Sequence, residues 1–423
     1  MKPAQGSGRE SGATVERSNG ISGILATQGE ESGAKAQAAG PGKWTFLVYM
    51  AGDNNLDGAA LRNIAEMAKA GSTKDVHILV QLDRLEDQKT RRFRITQGGG
   101  FKKDCIETFS ETNTGDPQTL FSFCQWAVDN YPADRYALIL WNHGSGWWED
   151  AKSRAAIPSG RRPHRPLFNH TFPQAHRSIC YDDTSGGDAL DNRELRVVLA
   201  GICALLGRKI DLLGMDACLM NMVEVAWQLR DSVNVIVGSE IEEPFDGWPY
   251  AEILTRLASR PHQAAAALAR WIVKSYLLSY QGKGEIVTQS ALDLRCIADM
   301  VTRIDALSEA LLAALETDPK PIATAWKRSP RFYDDNYIDL LCLVKHLRRN
   351  DGPDLHAKAE ALIAALRPGK GRLILSQGKI GREVRGTCGL SIYFPGDRIN
   401  PAYKALDFCV DCRWLAFLEK YRL

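Results

Sequence analysis

The sequence lacks the features of a membrane protein or of a conventionally exported one. It has no apolar run of about 18 residues, the length that a membrane-spanning helix needs. Lys2 near the N-terminus is not followed by the apolar segment of a signal peptide. We therefore expect no membrane span and a cytoplasmic location, with export by another route left open.

The chain also lacks a large net charge and a metal-binding cysteine pattern. Its 53 basic and 51 acidic residues give a net charge of +2, which offers no overall reason to expect nucleic-acid binding. Ten cysteines are scattered along the chain, and the close pair Cys409 and Cys412 has no second pair or histidines near it. A chain of 423 residues does not need disulfides to stabilise its core, so we expect reduced thiols.

Apolar segments are arranged in a way that predicts an α/β fold. Residues 1–42 are rich in Gly, Ala and Ser and predict a disordered N-terminal tail. Through residues 43–260, apolar strands alternate with amphipathic helices, which is typical of a mostly parallel sheet in a three-layer α/β/α sandwich. We interpret residues 261–423 as a C-terminal subdomain that completes the sheet.

One stretch, residues 209–224, combines a buried strand with a possible nucleophile. The apolar run Ile210–Met215 predicts a strand, followed by a turn with Asp216 and Cys218 and a helix from about Leu219. Parallel sheets carry their chemistry at the carboxyl ends of strands, and a helix N-terminus would lower the pKa of the thiol. A cysteine among apolar residues is, taken alone, more often a core residue.

A second predicted strand offers a partner for this thiol. Tyr136–Asn142 is another apolar run, and His143 and Gly144 follow its carboxyl end. Adjacent parallel strands would bring the imidazole and the thiol together across one crevice. This pairing predicts nucleophilic catalysis in which Cys218 is the nucleophile and His143 the general acid and base. The N–H groups of Gly144 and Cys218 are the best candidates for an oxyanion hole.

Several motifs resemble those of the clostripain-type cysteine peptidases, which share a clan with caspases, legumains and gingipains. The resemblance runs from about Trp44 to the end of the chain, and its two most specific motifs contain His143 and Cys218. The matching segments are VYMAGDNNLD (48–57), WNHGSGW (141–147), YDDTSGGDAL (181–190), DACLM (216–220), GSEIEEPFDGWPY (238–250) and GLSIYFP (389–395). The resemblance implies a catalytic dyad without a third member and a caspase-like sandwich. It also allows Ca²⁺, which some members need, although the residues assign no metal ligands.

The substrate preference is predicted from Asp216. Residues two apart on an extended strand point to the same side, so Asp216 should face the same crevice as Cys218. A carboxylate there could pair with a guanidinium, which predicts protein or peptide substrates with Arg preferred over Lys at P1. The resemblance points to the same role. Glu240, Glu242 and Asp246 could share the pocket charge, and the competing interpretation makes Asp216 a helix N-cap.

The segment 147–177 shows no helical or strand period. It contains four prolines and five arginines, and a loop this long is usually functional or disordered. The resemblance implies maturation by cleavage between the catalytic His and Cys. Arg154, Arg161 and Arg177 are the candidate self-processing sites, because Arg162 and Arg165 precede proline. The alternative is a surface segment that binds something acidic.

Two other classes of function stay open at this point. One is a catalytically inactive relative that serves as a binding module. The other is a metal-dependent hydrolase built on His164, His170 and His176, whose spacing does not fit one helix face. The acidic residues between 182 and 191 resemble a calcium loop but lack EF-hand spacing. Turn and cap roles are predicted for them instead, with Asp191 capping a helix over 192–206.

Overall fold

Fifteen strands are present in the part of the chain that the computed structural model describes, which is residues 41–149, 177–333, 335–349 and 352–422. They are β1 Gly42–Gly52, β2 Val76–Arg84, β3 Lys89–Arg94, β4 Cys105–Thr108, β5 Ala133–Trp141, β6 Gly144–Glu149, β7 Arg177–Asp182, β8 Asp188–Leu190, β9 Ile210–Asp216, β10 Val233–Gly238, β11 Val287–Asp293, β12 Arg331–Phe332, β13 Tyr337–Asp339, β14 Ile374–Ile380 and β15 Ser391–Tyr393. The predicted tail lies outside these residues except for its last two.

The same residues form twelve α-helices and two short 3-10 helices. The α-helices are α1 Asp57–Ala70, α2 Pro117–Asn130, α3 Asn192–Leu206, α4 Val223–Gln228, α5 Tyr250–Ser259, α6 Ala265–Tyr280, α7 Ile297–Leu315, α8 Lys320–Arg328, α9 Leu340–Leu347, α10 Pro353–Ala365, α11 Asp407–Asp411 and α12 Trp414–Arg422. The 3-10 helices are Leu294–Cys296 and Pro401–Ala405. None of the helices in the described ranges is both long and apolar enough to cross a membrane.

A nine-stranded sheet forms the centre, in the order β14-β11-β10-β9-β5-β1-β2-β3-β4. The five strands from β10 to β2 are parallel to their neighbours, and antiparallel strands extend both edges. The inner strands are nearly continuous apolar runs because both of their faces are covered. The predicted mostly parallel α/β sandwich is therefore confirmed.

Alternation along β1 divides the core into two layers. Trp44, Phe46 and Val48 join a cluster with α1, α5 and α6 on one face of the sheet. Tyr49 points to the other face, where its ring lies 6.2 Å from that of Phe123 on α2. This period of two places apolar side chains under helices on both sides of one strand. Beyond residue 260, β11 and β14 extend the same sheet, while a subdomain boundary at 260/261 stays a prediction.

The segment 147–177 begins and ends in strands, which the sequence did not indicate. β6 reaches Glu149, β7 starts at Arg177, and these two residues pair with each other across an antiparallel ladder. Residues 150–176 lie outside the described residues, with Arg154, Arg161 and the three histidines of the metal alternative. The chain therefore leaves β6 and enters β7 at paired positions, and β6 itself begins at the residue after His143.

The predicted helix from Leu219 is wrong. Leu219 has a φ of 66°, in the left-handed region, and α4 begins only at Val223. Met222 is the N-cap residue and makes no side-chain capping bond. Long-range pairing explains the delay, since the Leu219 N–H donates to the Ile241 carbonyl at 3.0 Å. Cys218 consequently does not lie at a helix N-terminus.

Candidate active site

The register of β5 and β9 brings His143 and Cys218 to one place at the carboxyl edge of the sheet. Trp141 pairs with Asp216, and each predicted catalytic residue lies two positions beyond that pair. The Asn142 N–H donates to the Asp216 carbonyl at 3.3 Å, which continues the alignment past the strand end. A Cβ at Gly144 would overlap the carbonyl oxygen of Cys218, so only glycine allows this close approach.

His143 is held by an amide that the sequence analysis missed. Its Nε2 lies 2.6 Å from Oδ1 of Asn55, and its ring stands edge-on to Tyr181 at 6.3 Å. With the amide oxygen as acceptor, Nε2 carries the proton and the ring orientation is fixed. Asn55 lies three residues after β1, which neighbours β5 in the sheet. That position was the sequence signal that could have identified Asn55, because residues just beyond neighbouring parallel strands lie at the same edge of the sheet.

Cys218 is a buried, neutral thiol in this structure. Its side chain is 0% exposed, and Sγ accepts a hydrogen bond from the Glu243 N–H at 3.2 Å. Burial raises the thiol pKa well above its usual value, and the charge of Glu242 adds to this increase. The lowered pKa expected from a helix N-terminus is therefore wrong, because no helix starts there and the site is dry. The left-handed Leu219 next to it stores about 1–2 kcal/mol of backbone strain.

Asp216 lies deep in the site with its carboxylate already hydrogen-bonded. Its side chain is 5% exposed, and Oδ2 accepts from the Tyr250 hydroxyl at 2.8 Å and the Trp248 N–H at 3.3 Å. Gly247, at φ 61°, lies close enough that a Cβ there would be 3.0 Å from Oδ1. Burial raises the pKa of Asp216 to about 6, although hydrogen bonds from its neighbours oppose the change. The N-cap interpretation is wrong, because α4 begins at Val223 and its N-cap position is Met222.

Glu243 is a second carboxyl group beside Asp216, and the sequence analysis did not select it. Its carboxyl hydrogen-bonds with that of Asp216, and its Oε1 accepts from Gln289 Nε2 at 3.1 Å. Burial, followed by the nearby charge of Asp216, raises the pKa of Glu243 well above its usual value. The pair therefore holds a proton between its members and carries one negative charge. The sequence signal that could have identified Glu243 is its position in the motif GSEIEEPFDGWPY (238–250).

Two of the other predicted pocket residues, Glu240 and Asp246, have different partners. Glu240 is buried, its Oε1 accepts from the Gly389 N–H at 3.1 Å, and it lies beside the carboxyl group of Asp339. Asp246 is 67% exposed at the side chain and lies 3.4 Å from Nζ of Lys283. Asp216 and Glu243 thus form a pair next to Cys218, whereas Glu240 and Asp246 do not join it.

Four other carboxylates could hold a metal at the same edge of the sheet. They belong to Asp53, Asp83, Glu111 and Asp182, and one oxygen from each lies within 4.8 Å of the others. Burial is the main cause that raises the pKa of Asp53 to about 6 and that of Asp83 to about 8. An all-oxygen donor set fits a hard cation such as Ca²⁺. The turn role predicted for Asp182 thus describes only part of its surroundings. The cap predicted for Asp191 on α3 is confirmed, and Asp191 forms a capping box with Glu194.

Comparisons with known proteins identify a family. A model of the clostripain family matches residues 48–421. Clostripain of Hathewaya histolytica is 31% identical over 246 residues, which are 51% of this chain and 42% of the relative. The chain thus matches less than half of the length of that relative.

Solved structures show the same fold. A secreted C11 cysteine protease from Bacteroides thetaiotaomicron, in complex with an irreversible peptide inhibitor, has a TM-score of 0.61 at 19% identity, over 90% of this chain and 99% of that one. An inactive zymogen C11 protease from Parabacteroides distasonis has a TM-score of 0.64 at 19% identity, over 89% and 99% of the two chains.

Proposed function

The chain belongs to the clostripain family, and from that premise we propose that it is a cysteine endopeptidase with Cys218 as nucleophile and His143 as general acid and base. The observation that carries the proposal is the register of β5 and β9, which sets both residues two positions beyond one strand pair. The close approach of Gly144 to the backbone of Cys218 supports it, since the N–H groups of these two residues are the proposed oxyanion donors.

The proposed reaction begins when the thiol proton moves to the imidazole as substrate enters. The thiolate attacks the scissile carbonyl carbon, and the negative oxygen accepts hydrogen bonds from the N–H groups of Gly144 and Cys218. The imidazolium then protonates the leaving amine, and water releases the acyl group from sulfur. Asn55, 2.6 Å from His143, orients the ring throughout. Proton transfer must accompany binding, because the buried thiol is neutral beforehand.

We further propose that the P1 side chain is basic and that Asp216 receives it. The Asp216 and Glu243 pair carries one negative charge in a nearly dry site, where a guanidinium would be worth far more than at the surface. A planar guanidinium can engage two oxygens at once, and Lys offers a single point charge, so Arg should be preferred. The incoming group would join or replace the hydroxyl of Tyr250.

Maturation by self-cleavage in the segment 147–177 is part of the proposal. Cys218 is fully buried, so the single chain must change before a substrate reaches the thiol. Cleavage there would separate β6 from β7, which pair beside the dyad. Arg154 and Arg161 lie outside the described residues, and Arg177 opens β7 opposite Glu149. The first two are therefore the better candidates, because a strand-paired bond is harder to present to an active site.

A panel of fluorogenic peptides varied at P1 tests the function, using the wild-type chain and Cys218→Ala. We expect turnover of Arg substrates by the wild type, slower turnover of Lys substrates, and none by the variant. Cys203→Ala is the matched control, since this half-buried thiol lies on α3 and bonds the Ser232 carbonyl. Equal rates for wild type and Cys218→Ala would refute the mechanism, and a folded wild type without turnover would favour the binding-module alternative.

A further inference from the structure

A cavity of about 390 Å³ lies beside the segment that follows β10. We call it the side cavity. Four parts of the chain line it: residues 241–244 after β10, Glu285 and Ile286 before β11, residues 330–332 at β12, and Glu383 and Val384 after β14. Its volume is in the range of pockets that take small ligands, about 300–1,000 Å³. The side cavity is therefore large enough to hold one long side chain of a substrate.

The sheet topology places the side cavity at the same edge as the dyad. β10 is parallel to β9, so residues 241–244 follow the carboxyl end of β10 as Cys218 follows that of β9. β11 is antiparallel to both β10 and β14. Glu285, just before β11, and Glu383, just after β14, therefore lie at this edge as well. A substrate bound at the dyad and one bound in the side cavity would share one face of the molecule.

Glu243 connects the side cavity to the nucleophile. Its N–H donates to Sγ of Cys218 at 3.2 Å, its carboxyl group pairs with that of Asp216, and the same residue lines the side cavity. Glu242, the next residue in the lining, is close enough for its charge to raise the pKa of the Cys218 thiol. A peptide bond that lies against Sγ is therefore next to the side cavity.

The segment 241–244 alternates as an extended chain does. The Ile241 carbonyl accepts from the Leu219 N–H at 3.0 Å, and the Glu243 N–H points to the same side, toward Cys218. Ile241 and Glu243 are buried, whereas Glu242 is only half-buried. Glu242 and Glu243 therefore face opposite sides. An extended substrate alternates in the same way, so a P1 side chain that points to Glu243 leaves its neighbours pointing toward the side of Glu242.

The side cavity combines apolar walls with negative charge. The walls are formed by Ile241, Pro244, Ile286, Pro330, Phe332 and Val384, and the acidic residues beside them are Glu242, Glu285 and Glu383. Arg331 is the one basic residue among the described residues that line the cavity. Its guanidinium lies over the ring of Trp326 at 4.3 Å and pairs with Asp335 at 3.1 Å, so its charge is already balanced. These surroundings suit a side chain with an apolar stem and a cationic end.

We propose that the side cavity is a second substrate subsite, which binds a basic side chain next to P1 through Glu242, Glu285 and Glu383. This subsite rests on the proposed function and narrows it, because the substrate then carries two adjacent basic residues. The stem of the side chain packs on the apolar walls, while its charge stays among carboxylates that are half-buried or exposed. Lys and Arg both fit, because the carboxylates come from three separate segments and do not form a single fork for a guanidinium.

Two sets of P1-Arg peptides test both neighbours of P1. In the first set, P2 is Lys, Leu or Glu and a coumarin follows the Arg, so that only cleavage after the Arg releases the dye. In the second set, quenched peptides carry Lys, Leu or Glu at P1′, and product masses identify the cleaved bond. We expect kcat/KM in one set to be about three- to tenfold higher with Lys than with Leu, and lowest with Glu.

The outcomes separate the second subsite from the proposed function. Turnover of P1-Arg peptides with equal kcat/KM for Lys and Leu in both sets would overturn the second subsite alone. A folded enzyme that turns over none of the P1-Arg peptides would overturn the proposed function and the second subsite with it. A preference in the first set would place the cavity on the acyl side of the scissile bond, and one in the second set on the leaving-group side.

Glu285→Gln and Glu383→Gln assign the preference to the side cavity. The readout is the Lys-to-Leu ratio of kcat/KM within each variant, so a change in the overall rate does not affect it. Each variant should lower the ratio, and the double variant should bring it close to one. Glu309→Gln, which removes an exposed partner of Arg413 on α7, is the matched control and should keep the wild-type ratio. A wild-type ratio in the double variant would refute the side cavity as the subsite.

Discussion

Replacing Asp216 by Asn should separate substrate recognition from stability. The structure places this carboxyl group in a nearly dry site, where burial raises its pKa from 3.8 to about 6. An acid with a raised folded-state pKa binds its proton more tightly when folded, so stability falls as the pH rises from 3.8 to about 6. Above that range the ionised group costs the fold up to about 3 kcal/mol.

Asp216→Asn removes that cost. The asparagine oxygen can still accept from Tyr250 and Trp248, and losing one of these bonds would cost about 1 kcal/mol. At pH 8 the variant should therefore melt at the wild-type Tm or up to about 3 °C higher. The difference should disappear near pH 4, where the carboxyl group is mostly protonated in the folded protein.

Asp216→Asn should strongly lower kcat/KM only for substrates with a basic P1 residue. Removing one partner of a buried charge pair costs about 2–5 kcal/mol, which corresponds to about a 30- to 5000-fold loss of kcat/KM. The lower end is expected, because Glu243 beside Asp216 can still ionise when a guanidinium binds next to it. Substrates with a neutral P1 residue gain nothing from the carboxylate, so their slow turnover should change little.

The assay compares kcat/KM for P1-Arg and P1-Leu peptides with Tm measured at pH 8. Asp211→Asn is the matched control, since Asp211 lies on β9 as Asp216 does and pairs with Arg208 at 2.6 Å. The control should lose some stability and keep its P1 preference. A Tm loss above about 5 °C in Asp216→Asn with an unchanged Arg-to-Leu ratio would refute the pocket role.

Two further predictions concern the dyad and its maturation. Asn55→Ala should lower kcat about tenfold or more with little change in KM, because the His143 ring loses its orientation. Asn55→Asp should keep part of the rate that Asn55→Ala loses. A change in KM alone would contradict this role. Intact mass should show a wild-type chain cut within 147–177 and an uncut Cys218→Ala, with the cut after Arg154 or Arg161. A fully active wild type that stays in one piece would refute self-processing.

Local patterns in the sequence predicted much of the fold. The bounds of α3 agree with the sequence prediction, since amphipathic spacing and the Asp191 cap act within a few residues. The strand ends that deliver His143 and Cys218 were predictable for a similar reason, because an apolar run followed by small residues marks the carboxyl edge of a buried strand. Family motifs then connected the two.

Long-range contacts explain what the sequence did not show. The residues after Cys218 favour a helix locally, yet Leu219 bonds Ile241 and Asn221 bonds the Ser239 carbonyl at 2.9 Å, which holds them in a turn. Glu243 reaches the site only through the loop after β10. The carboxylates of Asp53, Asp83, Glu111 and Asp182 come together from four segments, and no spacing rule in the sequence connects them.

The central claim, that Cys218 is the nucleophile, is tested most directly by covalent labelling. A P1-Arg peptide that carries a thiol-reactive acyloxymethyl ketone is added to the matured enzyme. Residual activity is measured with a fluorogenic peptide, and the position of the adduct is determined in the same samples by peptide mass spectrometry. We expect one adduct per chain, on Cys218, formed in step with the loss of activity, while the other nine cysteines stay unmodified. Full inactivation with the adduct elsewhere, or full activity with Cys218 modified, would contradict the assignment.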